Sequence, residues 1–268
     1  MKVAAIQMVS GMSVQGNLES ARRLIEEAAR AGAQLAALPE YFCLLGQRDG
    51  DKLAVREPFG AGPIQEFLAR TARECGVWLV GGTLPLVAAD EAHVLNTSLV
   101  FSPAGERVAR YDKIHLFKFD NGREHYDESR VIESGSEPAV LALRDRDGHD
   151  WRIGLSVCYD LRFPELYRAL QADVLLAPSA FTYGTGKAHW ELLVRARAVE
   201  NLAYLIAPAQ GGVHENGRRT WGHTLIVDPW GEILGQRDEG PGVIVADLDP
   251  ARQAQLRAQL PALEHRVL

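Results

Sequence analysis

The sequence predicts an α/β layered domain with mixed β-sheets. Three observations predict it. Short apolar strands alternate with amphipathic helices, several strands follow one another through tight turns, and no linker, repeat or low-complexity stretch interrupts the chain. One domain over residues 1–268 is the simplest account.

The elements follow in order. Val3, Ala4, Ala5 and Ile6 begin a buried strand. Asn17 can cap a helix over 18–31, with Leu24, Ile25, Ala28 and Ala29 on one face and Gly32 as its stop. Leu35 to Leu38 is a short apolar strand closed by Pro39. Pro63 opens a second helix, apolar at Ile64, Phe67, Leu68 and Ala72, with Gly76 past its end. VWLVGGTL at 77–84 reads as a buried strand, and 94–111 as a hairpin around Pro103-Ala104-Gly105. Residues 112–138 are irregular and rich in charge and glycine; so long a loop in a compact domain is usually functional. A strand covers 151–157, a short helix follows Pro164, and VLLAP at 174–178 is another strand. A helix over about 187–202 carries Trp190, Leu193, Val194, Arg197 and Asn201. Strands at 203–209, 222–228 and 242–248 follow, with a hairpin turn at Pro229-Trp230-Gly231, and 250–260 is helical.

Composition excludes several function classes. Of 268 residues, 47% are hydrophobic and 24% charged, as in ordinary soluble proteins. The net charge of −6 argues against non-specific nucleic-acid binding. No apolar run approaches the ~18 residues of a membrane span, and MKVAAIQMVSG lacks the apolar core of a signal peptide. The cysteines, Cys43, Cys75 and Cys158, are odd in number and widely spaced. That fits a reducing, cytoplasmic setting rather than a disulfide framework, and no Cys/His cluster has metal-ligand spacing.

GLSVCYDLRFPEL, 154–166, raises the chemical question. Cys158 ends an apolar run, where open α/β sheets place ligands, yet a lone thiol is often only a small buried hydrophobe. A nucleophilic thiol needs a base, and none of the eight histidines sits in a pattern that assigns it. LPEYF, 38–42, puts Glu40 just past a strand end, and YDKIHLF, 111–117, puts Lys113 between a strand and an apolar turn. Singly, each also reads as a surface charge.

In this order, the three stretches resemble the nitrilase superfamily of carbon–nitrogen hydrolases, and the resemblance runs from VAAIQM to QLPALEHR. It implies a Glu40–Lys113–Cys158 catalytic triad and a four-layer αββα sandwich of two mixed sheets flanked by helices, paired into a homodimer. Cys158 would attack an amide carbonyl, Glu40 would act as general base, and Lys113 with the Tyr159 backbone N–H would stabilise the oxyanion. Glu128, in HYDES at 125–129, matches a second family glutamate that would position Lys113 and the substrate. A small-molecule amide and water are then the only partners needed, with no metal and no organic cofactor.

SAFTYGTGKAHWELLVRARAVEN, WGHTLIVDPWGEIL and QLPALEHR resemble the branch that holds ω-amidases and deaminated-glutathione amidases. QGGVHENGRRT at 210–220 looks closer to the second. Gly186-Lys187 departs from a Gly-Pro common there. The branch implies hydrolysis of a carboxylate-bearing amide to acid and ammonia, with deaminated glutathione the favoured substrate and metabolite repair the role. 2-Oxoglutaramate, a nitrile or an N-carbamoyl compound are alternatives, as are a catalytically silent binding protein and a thiol-redox protein. Arg162 either forks a substrate carboxylate or pairs with Asp160 or Glu165. Phe181 and Thr182, past the next strand end, would form a substrate wall. His189, Trp190 and His223 read as structural, Arg195 and Arg197 as dimer-interface candidates, and Cys43 and Cys75 as packing.

Overall fold

The computed structural model describes residues 1–267. Each of two sheets is built around three parallel strands. In the first, Lys2–Gln7, Leu35–Ala37 and Trp78–Val80 lie in parallel, joined by helices Val14–Arg30 and Pro63–Cys75. In the second, Asp150–Leu155, Val174–Leu176 and Tyr204–Ala207 do the same, joined by Pro164–Leu170 and Tyr183–Asn201. Antiparallel strands extend both, and the short Ile132–Glu133 joins the first in parallel. Gly242–Asp247, Leu84–Val87, Val94–Phe101 and Arg107–Asp112 extend the first; Ala139–Arg144, Thr224–Val227 and Ile233–Arg237 extend the second.

Strand periodicity sets the layers. Val3 and Ala5 join one buried core with Trp151, Ile153 and Leu155 of the second sheet. Ala4 and Ile6, pointing the other way, join a separate core with Leu18, Ala21, Ile25 and Leu68 of the first two long helices. Leu170, Trp190, Val194 and Ala198 cover the second sheet from its own helices. The result is helix, sheet, sheet, helix, with the sheets packed face to face as the four-layer expectation holds.

Some local readings are corrected. The cap of the first helix is Ser13, whose side chain accepts from Gly16 N, and not Asn17. Asn17 lies within the helix and is buried; its amide bonds Gly11 N and O and the Cys43 carbonyl, tying the helix to the segment beside Glu40. The helix expected from 187 begins at Tyr183. Gly184 and Gly186 lower its local propensity, but a Cβ at Gly186 would collide with Trp221, so packing requires the glycine. The irregular stretch 112–138 holds a hairpin, Lys118–Asp120 with His125–Asp127, a single 3-10 turn, Glu128–Arg130, and a strand, Ile132–Glu133. Two or three residues per strand are too few to show a period in sequence.

Candidate active site

The two sheets present equivalent strand ends at one place. Glu40 stands three residues past Leu35–Ala37, and Cys158 three past Asp150–Leu155. Ala180 to Thr182 follow Val174–Leu176, and Lys113 directly follows Arg107–Asp112. Both turns are sharp. Tyr41 has φ 55° and Cys158 φ 51°, a left-handed conformation that costs a non-glycine residue roughly 1–2 kcal/mol.

The surroundings enforce the Cys158 turn. Its N–H donates to Pro178 O at 3.0 Å, and Ser156 Oγ donates to Leu176 O at 2.7 Å. Fully buried Asp160 accepts four bonds: Val157 N at 2.8 Å and Tyr111 OH at 2.7 Å on Oδ2, and His115 N at 3.1 Å and Nδ1 at 2.7 Å on Oδ1. Tyr111 and His115 flank Lys113, so one carboxylate couples the cysteine turn to the lysine loop. Arg197, a dimer-interface candidate in the sequence, is buried within the chain itself, and its Nε donates to Leu161 O at 2.9 Å behind the same turn. Asp160→Asn would turn an amide N–H₂ toward existing donors. It is expected to cost about 2–3 kcal/mol, read from urea unfolding.

The charges meet beneath the turn. Lys113 Nζ lies 2.9 Å from Glu40 Oε1 and 2.8 and 3.0 Å from the Glu128 oxygens. Lys113 and Glu40 are each 1% exposed. Glu128 also accepts from Tyr41 OH at 2.6 Å and Phe117 N at 2.7 Å. Asn96 Nδ2 donates to Glu40 Oε1 at 2.9 Å, and Gln210 Nε2 to the Glu40 carbonyl at 3.1 Å. Cys158 and Glu40 lie side by side in the same cavity wall, close enough for each to shift the other's proton affinity.

Two carboxylates share one ammonium, which sets the proton affinities. Burial opposes the Lys113 charge, but Glu128 and Glu40 more than offset it and hold the ammonium well above its usual range. Burial raises Glu40, Lys113 offsets this only partly, and the like charge of Glu128 raises it further. Burial and the Glu40 charge raise the Cys158 thiol well above its usual range. The stable arrangement is therefore a neutral thiol against a carboxylate with raised proton affinity. Cys43 is also buried and pushed up to about 12, but its Sγ meets only the Thr83 carbonyl, at 3.8 Å.

A cavity opens over the thiol. Glu40, Glu128, Cys158, Tyr159, Arg162, Phe181 and Thr182 all line it, so the structure gathers every expected residue except Lys113, which lies behind the two carboxylates. Tyr159 packs edge-on to Phe117 and Phe163, and its backbone N–H bonds to no described residue. Arg162 pairs with neither Asp160 nor Glu165. It sits 5.7 Å from the Tyr159 ring, 5.8 Å from the Phe181 ring and 3.3 Å from His189 Nδ1. Thr182 Oγ1 bonds Thr185 Oγ1 at 2.8 Å and starts the following helix. Trp190 packs on Phe181 and donates to His223 O, as structural residues do.

Tyr41, Asn96, Phe117 and Gln210 went unread in the sequence. Asn96 gave a signal, a lone amide in the apolar strand VLNTSLV; Gln210 bonds Glu40 across 170 residues and gave none. Among the described residues no cluster of His, Cys, Asp and Glu could hold a metal ion, and no helix is long and apolar enough to cross a membrane.

The family model for carbon-nitrogen hydrolases matches residues 2–258. The chain belongs to the carbon–nitrogen hydrolase family. A Synechocystis relative named deaminated glutathione amidase is 43% identical over 98% of this chain and 97% of its own. A human relative of the same name is 39% identical over 98% of this chain and 81% of its own. The crystal structure of yeast Nit3, a member of branch 10 of the nitrilase superfamily, superposes with TM-score 0.88 at 30% identity, over 100% of this chain and 97% of that one. As a carbon–nitrogen hydrolase, the protein cleaves C–N bonds other than peptide bonds.

Proposed function

We propose that the protein hydrolyses deaminated glutathione, with Cys158 as nucleophile. The observation that carries the mechanism is that buried Cys158 and Glu40 line one cavity, with Glu40 bonded to buried Lys113 and an Arg162 without an acid beside them. The substrate assignment is supported by the relatives at 43% and 39% identity.

Glu40 takes the thiol proton as Sγ attacks the amide carbon. The oxyanion meets the Tyr159 N–H, and the nearby Lys113 charge lowers its energy without entering the cavity. Glu128 and Tyr41 hold Lys113 in place. Glu40 returns the proton to the departing nitrogen, leaving a thioester. Water then attacks with Glu40 again as base, the thiolate leaves and is reprotonated, and the acid is released. For deaminated glutathione the bond cut is the ω-amide, so the departing amine is cysteinylglycine, where a primary amide would give ammonia. Arg162 would hold the 2-oxo acid carboxylate, with Phe181 and Thr182 as walls.

A panel of deaminated glutathione, 2-oxoglutaramate, a nitrile and an N-carbamoyl amino acid, assayed for acid and amine, tests the substrate. Highest kcat/KM on deaminated glutathione supports the assignment, and preference for another compound overturns it.

The pH profile tests the roles. Glu40 must be ionised to act as base, and its proton affinity is raised, so the acid limb of kcat/KM is expected above the ~4.3 of an ordinary glutamate. Glu128 adds to that rise. Glu128→Gln is therefore expected to move the limb to lower pH as well as to slow the reaction. A limb that stays in place would remove Glu40 from the base role.

The pairing we propose is a homodimer through the helix Tyr183–Asn201, supported by the exposure of Leu192 (69%) and Val199 (43%) on it and of Trp230 (48%) nearby. Sedimentation equilibrium should give twice the 29.4 kDa chain mass; a monomer mass at micromolar concentration would refute the pairing. Three free cysteines are consistent with the cytoplasmic setting proposed.

A further inference from the structure

The cavity over Cys158 continues into a second, larger chamber; Tyr41, Phe117, Glu128, Ala180 and Thr182 line both. The chamber wall carries Lys52, from the short helix Asp51–Ala54, and Arg218, from the connection between strands Gly211–Val213 and Arg219–Trp221. The mechanism above uses neither.

Lys52 is the unusual group. Its side chain is 14% exposed, its nearest acid is Asp49 at 4.0 Å, and its ammonium forms no hydrogen bond with any described residue. It lies 4.8 Å from the Tyr41 ring centre. Asp49 is engaged more closely by Arg218, at 3.0 Å. Of the other two wall acids, Asp127 is held by Lys118 at 3.0 Å and by Ser129 Oγ at 2.6 Å, and Glu128 by Lys113, Tyr41 and Phe117. The Lys52 ammonium thus faces the chamber with no close hydrogen-bond acceptor from the protein, which leaves its donors available to a ligand. Burial accordingly pushes the Lys52 proton affinity below its usual range.

We propose that this chamber is a second carboxylate subsite, where Lys52 and Arg218 receive the terminal carboxylate of the substrate's leaving amine. The inference rests on the functional reading above and extends it, because it divides the substrate's charges. Arg162 takes the carboxylate on the acyl side, and Lys52 with Arg218 takes the one on the amine side. A dipeptide leaving group reaches about 7 Å beyond the scissile nitrogen, which carries its carboxylate out of the thiol cavity and into the chamber. The substrate class is then an ω-amide of a dicarboxylic acid whose amine half is itself a short peptide acid.

The test compares deaminated glutathione with its C-terminal carboxamide, which has the same shape but lacks the distal charge. Wild type is expected to favour the free acid by about 30-fold in kcat/KM, carried mainly by KM. In Lys52→Met and in Arg218→Gln that ratio is expected to fall toward one. A variant harmed only in folding would lose both activities together and keep the ratio. Equal use of both compounds by wild type, or an unchanged ratio in both variants, overturns this inference and leaves the functional reading standing. Turnover of neither by wild type overturns both.

Discussion

Cys158→Ala is expected to lower kcat by about 10⁴–10⁶-fold, as removal of an acyl-transfer nucleophile does, with stability changed by less than about 1 kcal/mol. The stability half follows from the backbone. Alanine keeps the left-handed conformation at φ 51° and its strain, so nothing is relieved and one small buried side chain is lost. Cys158→Gly, equally inactive, is expected to be the more stable of the two by about 0.5–1 kcal/mol, since glycine adopts this conformation freely but loses more entropy on folding. Steady-state assays and urea unfolding read both quantities. Residual hydrolysis by the alanine variant within tenfold of wild type would remove the thiol from the mechanism.

Lys113→Met is expected to damage folding and catalysis together. It leaves Glu40 and Glu128 buried without their shared cation, and breaking a buried ion pair in this way costs about 3–5 kcal/mol near neutral pH. The pH dependence identifies the cause. Without Lys113 little opposes the burial and the Glu128 charge that raise Glu40, so its folded pKa lies above the unfolded one. Stability is then retained at acid pH and lost as pH rises through the folded value. Unfolding at pH 5.5 and 7.5 should show the larger deficit at 7.5, and Glu128→Gln added to the variant should restore part of it. An equal deficit at both values would mean that lost packing, not unpaired charge, is responsible. The kcat is expected to fall by about 10²–10³ as the charge beside the oxyanion disappears.

The variants differ because the site's members are held differently. Cys158 sits on a turn that Asp160, Pro178 and Ser156 build for it, so its side chain is replaceable without loss of the frame. Lys113 is part of the frame, because two buried carboxylates depend on it.

Legibility in the sequence followed the range of the interactions. The parallel-strand units were readable because apolar runs with caps such as Gly76 at φ 62° are local features. The extension of the last long helix back to Tyr183 was not, because Gly186 looks like a helix breaker until Trp221 is placed against it. Arg197 read as a dimer-interface candidate on a helix, and only the fold turns it toward Leu161 O. The short strands within 118–133 are held by pairing, with too few residues to show a pattern.

By itself the sequence determined the family and the expected reaction. Glu40, Lys113 and Cys158 are fixed as types and positions by three local stretches at strand ends, and their order carried the family and the expected reaction. Tertiary structure alone decided the energetics and the surroundings. It placed Glu128 as well as Glu40 against Lys113, so that one cation serves two acids and Glu40 keeps a raised proton affinity. It left Arg162 without an acid and Lys52 without an acceptor in joined cavities. The physical reason is that a side chain's charge state and free donors depend on what is packed around it, and those neighbours come from strands, turns and loops far apart in the chain.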